Sequence, residues 1–256
     1  MATPLASAFA AIAHARHSRP SFDAARLIDA ATLRSLVALT ARAPSGFNLQ
    51  PYAIVLVDDA RVRARLAGAM LGAGNAERVA RAPLTAVFAA DLDAMASVRE
   101  VQDMEARAGH KPAAYLRSLP TSAAAFASSQ QGGCGGTAAS ALGAAAAASL
   151  GALTGVPLPP LGVPGIAWAY KQTGLAAMMY MLAATSLGLG THPMEGLDPA
   201  RAAQAVGLSA TRFSVALVLA TGWPAAEAAA APAPPPSPRR MGVFRLNRAS
   251  QPFPLE

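Results

Sequence analysis

Apolar residues recur at helical spacing over Phe9–Arg19, which ends at Pro20. They recur again over Ala31–Arg42, where Leu33, Leu36, Val37 and Thr40 share one face and Asp29 or Thr32 caps the start. Ala43-Pro44-Ser45-Gly46 breaks that pattern as a loop. Tyr-Ala-Ile-Val-Leu-Val at Tyr52–Val57 is a β-type run closed by Asp58-Asp59, and Leu84–Ala90 is a second one. Helices are predicted between them over Ala60–Met70 and, more briefly, over Asn75–Ala82.

Past Asp91–Ala108 the periodicity loosens. Residues 109–165 are rich in Gly, Pro and Ala, with an extended Pro157–Pro164 segment. Regular structure resumes in Trp168–Leu187, a long apolar helix stopped by Gly188-Leu189-Gly190. Asp198 caps a further helix through Val206, ended by Gly207, and Phe213–Thr221 is a third strand before Gly222-Trp223-Pro224. Ala225–Pro238 is an Ala/Pro linker of polyproline character, followed by a mixed tail. Three short strands among many helices, with no internal repeat, predict an α+β fold: one sheet and one domain over residues 1–256.

Composition narrows this picture. With 53% hydrophobic and 14% charged residues the chain is too apolar to be disordered. Alanine is its commonest residue, which favours close-packed helices over a sandwich of sheets. The single cysteine, Cys134, rules out a disulfide framework and a thiolate zinc site; its Gly-rich surroundings make it a bystander thiol. The net charge of +7 comes almost wholly from Arg, Lys111 and Lys171 being the lysines. These arginines are scattered without basic runs or interleaved aromatics, which argues against nucleic acid as partner. Met1–Ala15 is apolar but lacks a basic lead, so no secretory signal is expected. The uncharged stretch Leu119–Tyr170 is mostly Ala and broken by Gly143, Gly151 and Gly155, so no membrane span is expected either. The expected location is the cytoplasm.

Four polar clusters carry candidate chemistry. Arg16-His17-Ser18, with Arg19, can hold an anion at a helix end, or can be an ordinary solvated terminus. Ala43–Tyr52 offers Ser45, Asn48 and Gln50 between two prolines; such groups suit a heterocycle edge, or merely satisfy their own backbone. Asn75-Ala76-Glu77-Arg78 is the third. The fourth, His192-Pro193-Met194-Glu195-Gly196-Leu197-Asp198, follows flexible glycines, which leaves its backbone N–H groups able to face a ligand. His14 and His17 stand at i, i+3 spacing without a third ligand, so no metal is expected.

Taken in order, these clusters resemble the nitroreductase family of FMN-dependent oxidoreductases. The likeness rests on the Arg-His-Ser start, the Ala-Pro-Ser-x-x-Asn-x-Gln-Pro-Tyr loop and the Gly188–Asp198 turn, and it covers residues 10–92 and 166–224. It implies a mostly antiparallel sheet flanked by helices, in an intertwined homodimer with flavin sites at the interface. It also implies roles. Arg16, His17 and Ser18 match the segment at the FMN phosphate and ribityl chain. Pro44, Ser45 and Asn48 match the loop that approaches the flavin from the other subunit. Asn75 looks like the Asn at the pyrimidine edge, and Arg78 like the basic residue near N1 and O2, where reduction places negative charge. Pro193, Glu195 and Gly196 match the turn over the isoalloxazine, with a backbone N–H to N5.

No side-chain acid or base is required by such a site. The implied reaction is ping-pong, from NADH or NADPH to an electron-poor acceptor such as a nitroaromatic or quinone. Two departures stand out. Pro20 occupies the place of a second basic residue, for which Arg19 is the substitute. The late basic pair at the phosphate is assigned to Arg239 and Arg240, with Arg245 and Arg248 as rivals. A flavin-binding store or sensor without turnover, and a basic protein bound to membrane or nucleic acid, are the alternative readings.

Overall fold

The computed structural model describes residues 3–128 and 165–225. Cys134, Pro157–Pro164, nearly all of the Ala/Pro linker and the arginines of the tail, Arg239, Arg240, Arg245 and Arg248, lie outside the described residues. Helix α1 spans Pro4–Ala15, α2 Ala30–Thr40, α3 Ala60–Ala67, α4 Ala73–Arg81, α5 Val98–Ala108 and α6 Ala113–Ser128. Helix α7 spans Gly165–Ser186 and α8 Pro199–Ala205. The strands are β1 Tyr52–Val57, β2 Leu84–Asp91, β3 Gly190–Met194 and β4 Phe213–Gly222.

The strands form one sheet in the order β1-β2-β4-β3, every neighbouring pair antiparallel. This is the α+β architecture with helices on both faces. On one face α3, α4 and α8 pack Leu66, Val79 and Ala202 against Val57, Val87, Val215 and Val218. On the other, α2 and α7 pack Leu36, Tyr180 and Ala184 against Phe88 and Leu219. Strand β2 is therefore buried at all its positions, which is why it reads as a continuous apolar run. A register shift between Phe88 and Ala89 explains how Val215 and Val218 face the same layer despite their odd spacing. A third apolar cluster, with Leu49, Val98, Val101, Leu119 and Trp168, closes the end of the sheet where β1 begins.

Four elements differ from the sequence reading. The first helix runs Pro4–Ala15 rather than Phe9–Arg19. The Thr3 hydroxyl accepts from the Ala6 N–H at 3.2 Å and Pro4 occupies the first turn, so the helix starts early. Beyond Ala15 the chain turns extended, because Ser18 pairs with Thr191. The sheet has a fourth strand, β3, inside what reads as a Gly/Pro turn. It is an edge strand, where Pro193 is tolerated for want of a second ladder partner. Helix α5 lies within Asp91–Ala108, to which the sequence reading assigns no element, and the start of the 109–165 excursion is helical as α6, which packs Leu119 and Ala123 inward. Among the described residues no helix is long and apolar enough to cross a membrane.

Candidate functional site

The edge strand β3 is where the separate clusters meet. Ser18 forms a parallel bridge with Thr191, and the Arg19 N–H donates to the Thr191 carbonyl at 2.9 Å. The ring nitrogen Nδ1 of His192 lies 2.8 Å from the Arg19 carbonyl and so carries the proton in that contact. The Arg16–Arg19 segment is thus stitched along the outer edge of β3. His17 Nδ1 caps back onto the Ala15 carbonyl at 2.9 Å, which leaves Arg16 and Ser18 to flank the strand.

Past β3 the chain turns into Glu195-Gly196 and fastens to the α3–α4 connection. The Leu71 N–H donates to the Gly196 carbonyl at 2.8 Å, and the Asp198 N–H to the Ala69 carbonyl at 2.8 Å. Neither bond uses the N–H of Glu195 or Gly196. A Cβ on Gly196 would sit 3.3 Å from the Asn75 amide nitrogen, so turn and helix approach as closely as a bare backbone allows. Along α4, Asn75 accepts from Arg78 Nη1 at 3.4 Å, a long and weak contact.

Electrostatics ties the same groups together. Burial holds the His192 imidazole below its ordinary pKa; the bond to the Arg19 carbonyl pulls it back up, and the nearby Arg78 charge lowers it further. The ring is accordingly neutral around pH 7. Two buried polar atoms here, Arg78 Nε and Thr191 Oγ1, have no hydrogen-bond partner among the described residues. A buried guanidinium N–H without an acceptor is costly, and so marks a place where an acceptor belongs.

The remaining cluster is elsewhere. The Pro44–Gln50 loop leads into β1, whose Tyr52 pairs with Ala90 at one end of β2, whereas Thr191 pairs with Thr221, which pairs with Leu84 at the other. Along the strands the Ser18–Thr191 seam and the start of β1 are thus offset by nearly the length of β2, roughly 20 Å at about 3.3 Å per residue, and β2 and β4 lie between the two edge strands. Within the loop, Ser45 Oγ accepts from the Gln50 N–H at 2.9 Å, and the Gly46 N–H donates to Gln172 Oε1 at 2.9 Å. Asn48 Nδ2 donates to Glu105 Oε1 at 3.0 Å. Phe47, Asn48 and Gln50 all have positive φ.

The structure therefore gathers Arg16, His17, Ser18, Asn75, Arg78, Pro193, Glu195 and Gly196 around β3 and the turn that follows it, and puts Pro44, Ser45 and Asn48 before β1, the opposite edge strand. Sequence reasoning missed Thr191, which reads as an ordinary residue of the Gly188–Asp198 turn. It also missed Gln172, for which a signal existed: an amide inside an otherwise apolar helix. Glu105 carries no signal in the sequence.

A four-stranded antiparallel sheet sandwiched by helices, with a polar locus at its edge strand, defines the class. The sequence profile of the Nitroreductase family matches residues 13–154 and 161–223. The chain belongs to the nitroreductase family, and with it to the oxidoreductases. Among curated relatives, a protein of Thermus thermophilus named NADH dehydrogenase is 29% identical over 196 residues, 76% of this chain and 77% of that one. Among solved structures, the ydfN protein of Bacillus subtilis superposes with a TM-score of 0.64 at 20% identity, covering 94% of this chain and 95% of the other. A protein of Exiguobacterium sibiricum, solved in complex with FMN, gives a TM-score of 0.62 at 20% identity over 87% of this chain and 89% of its own. At such identity the structural likeness speaks for the fold.

Proposed function

We propose that the chain is an FMN-dependent oxidoreductase that works as a homodimer, taking reducing equivalents from NADH or NADPH and passing them to an electron-poor acceptor such as a nitroaromatic or quinone. The observation that carries the reading is the close approach of Gly196, Asn75 and Arg78, whose buried Nε has no partner among the described residues. That N–H needs an acceptor, and the carbonyl edge of a flavin pyrimidine offers one. The names of the relatives, one an NADH dehydrogenase and one solved with FMN, point the same way.

Bound FMN would supply a carrier that accepts a hydride and returns the electrons to a second substrate. The protein's share is positional and electrostatic. Arg16 and Ser18, with Arg19 beside them, bring donors and positive charge to the phosphate; Arg239 and Arg240 are proposed to complete that set. Arg78, fixed on α4, places its cation where negative charge develops, and Asn75 offers an amide to the same edge. The N–H groups of the Glu195-Gly196 turn are left over by the bonds that fasten it, and Pro193 stiffens its approach.

The placement of the two loci supports the dimer. Pro44, Ser45 and Asn48 precede β1, the edge strand opposite the β3 locus, and a two-fold partner can present them to it. Helix α7 is largely apolar, and leaves Ile166, Leu175 and Met178 exposed. Leu5 and Phe9 of α1 are exposed as well, although α1 also lies against α7. Such faces call for cover by another chain.

The test is the visible spectrum of the purified protein with FMN, then with NADH or NADPH under anaerobic conditions. Flavin bands that bleach on adding nucleotide are the expected result. Bands that persist with both nucleotides would instead identify a store or sensor, and a protein that takes up no FMN would sink the reading.

A further inference from the structure

The Ser45–Gln50 loop holds a shape that its own residues do not favour. Phe47, Asn48 and Gln50 have φ of 55°, 57° and 46°, a region that side-chain-bearing residues rarely adopt. Two tethers from distant parts of the chain oppose relaxation. Gln172, buried in the apolar helix α7 and 126 residues away, accepts the Gly46 N–H at 2.9 Å. Glu105, on α5, accepts from the Asn48 amide at 3.0 Å. The opposite end of that amide is held too, since Gln50 Nε2 donates to Asn48 Oδ1 at 3.2 Å. Trp168 closes the remaining side: a Cβ on Gly46 would lie 3.0 Å from its ring, so only glycine lets the loop seat against α7.

We infer that Glu105 and Gln172 are positioning residues, which clamp the strained loop in the shape it presents to the flavin held by a second copy of the chain. The inference rests on the flavin reading given above. A buried amide in an apolar helix is costly unless it is bonded, and α7 gives Gln172 the backbone of this loop to bond. The Glu105 carboxylate makes a charge-assisted bond, stronger than a neutral one, to the very residue whose φ is most positive. A loop already held in its binding shape loses little freedom when the ligand arrives. Glu105 touches no cofactor; it acts through Asn48.

The test uses the full-length protein with Glu105→Ala and Glu105→Gln. Glu105 is only partly buried and lies outside the sheet, so both variants are expected to fold; Gln172→Ala serves as a companion. Two readouts are taken: hydrogen exchange of the loop amides without flavin, and FMN affinity from quenching of flavin fluorescence. Glu105→Ala is expected to speed exchange over residues 46–50 and weaken FMN binding about tenfold, the worth of one charge-assisted bond. Glu105→Gln, which keeps an acceptor, restores most of both. Loop exchange unchanged by Glu105→Ala overturns the clamp. Faster exchange with unaltered FMN affinity overturns its link to the cofactor. A wild-type protein that leaves FMN fluorescence unquenched overturns the flavin reading and this inference with it.

Discussion

Arg78 and His192 show how single side chains at the edge of the sheet respond to one another. Arg78 holds a buried N–H with no acceptor among the described residues, so Arg78→Ala removes both the charge and the donor intended for the ligand. FMN affinity should fall about 10- to 100-fold in a fluorescence titration, the range for hydrogen bonds to charged groups. His192 is held neutral by burial and by Arg78, so its folded pKa lies below the unfolded value of about 6.5. Its contribution to stability is full above that unfolded value and is lost as pH falls through the folded one, because only the unfolded chain takes up the proton in between. The thermal midpoint should therefore drop on acidification from pH 7 towards pH 5, and His192→Asn, which can keep the donor to Arg19, should flatten that drop. At this scale much was legible in the sequence. Ser18, Asn75, Arg78 and Gly196 stood out as polar or bare positions against an apolar background. Thr191 and Glu105 did not, because their significance comes from neighbours far along the chain.

At the scale of elements, legibility followed local signals. Helix α2 begins where Asp29 stands, its carboxylate accepting from the Ala31 and Thr32 N–H groups, and α3 begins likewise at Asp59. These bonds, those of Thr32 foremost for Asp29 and that of Val62 for Asp59, hold both carboxyls below their ordinary range. Strands β1 and β2 announce themselves by β-branched runs. Strand β3 was hidden because glycine and proline usually punctuate, and only its pairing with β4 makes it a strand. Helix α5 was hidden for the opposite reason: a mostly polar, exposed surface with Val98 and Val101 turned inward shows little apolar periodicity. The tie between α7 and the sheet is checked through Tyr180, whose buried hydroxyl donates to Thr221 Oγ1 at 3.0 Å. Burial raises its pKa, so it remains a donor at any ordinary pH. Tyr180→Phe should cost about 1 kcal/mol in urea unfolding, the net worth of one such bond, with fold and cofactor uptake retained.

For the whole molecule, the two halves of the proposed site lie by opposite edge strands, and the proposed dimer is what would unite them. Sedimentation should give the mass of two chains, and Met178→Asp, which buries a charge in the exposed face of α7, should give monomers that have lost FMN. A variant that became monomeric yet kept FMN tightly would refute the shared site. The sequence carried this arrangement only through its likeness to a family, since no pattern in one chain reveals which of its surfaces meets another.

The seam between Ser18-Arg19 and Thr191 has a consequence for handling the protein. Strand β3 ends the sheet, and an uncovered sheet end is a template on which other chains can pair. The Arg16–Arg19 segment occupies that template in the folded protein. A variant lacking residues 1–19 would lose the groups proposed to face the phosphate and bare the strand in one event. If the proposed site is right, that variant should both fail to take up FMN and aggregate, the second read by light scattering.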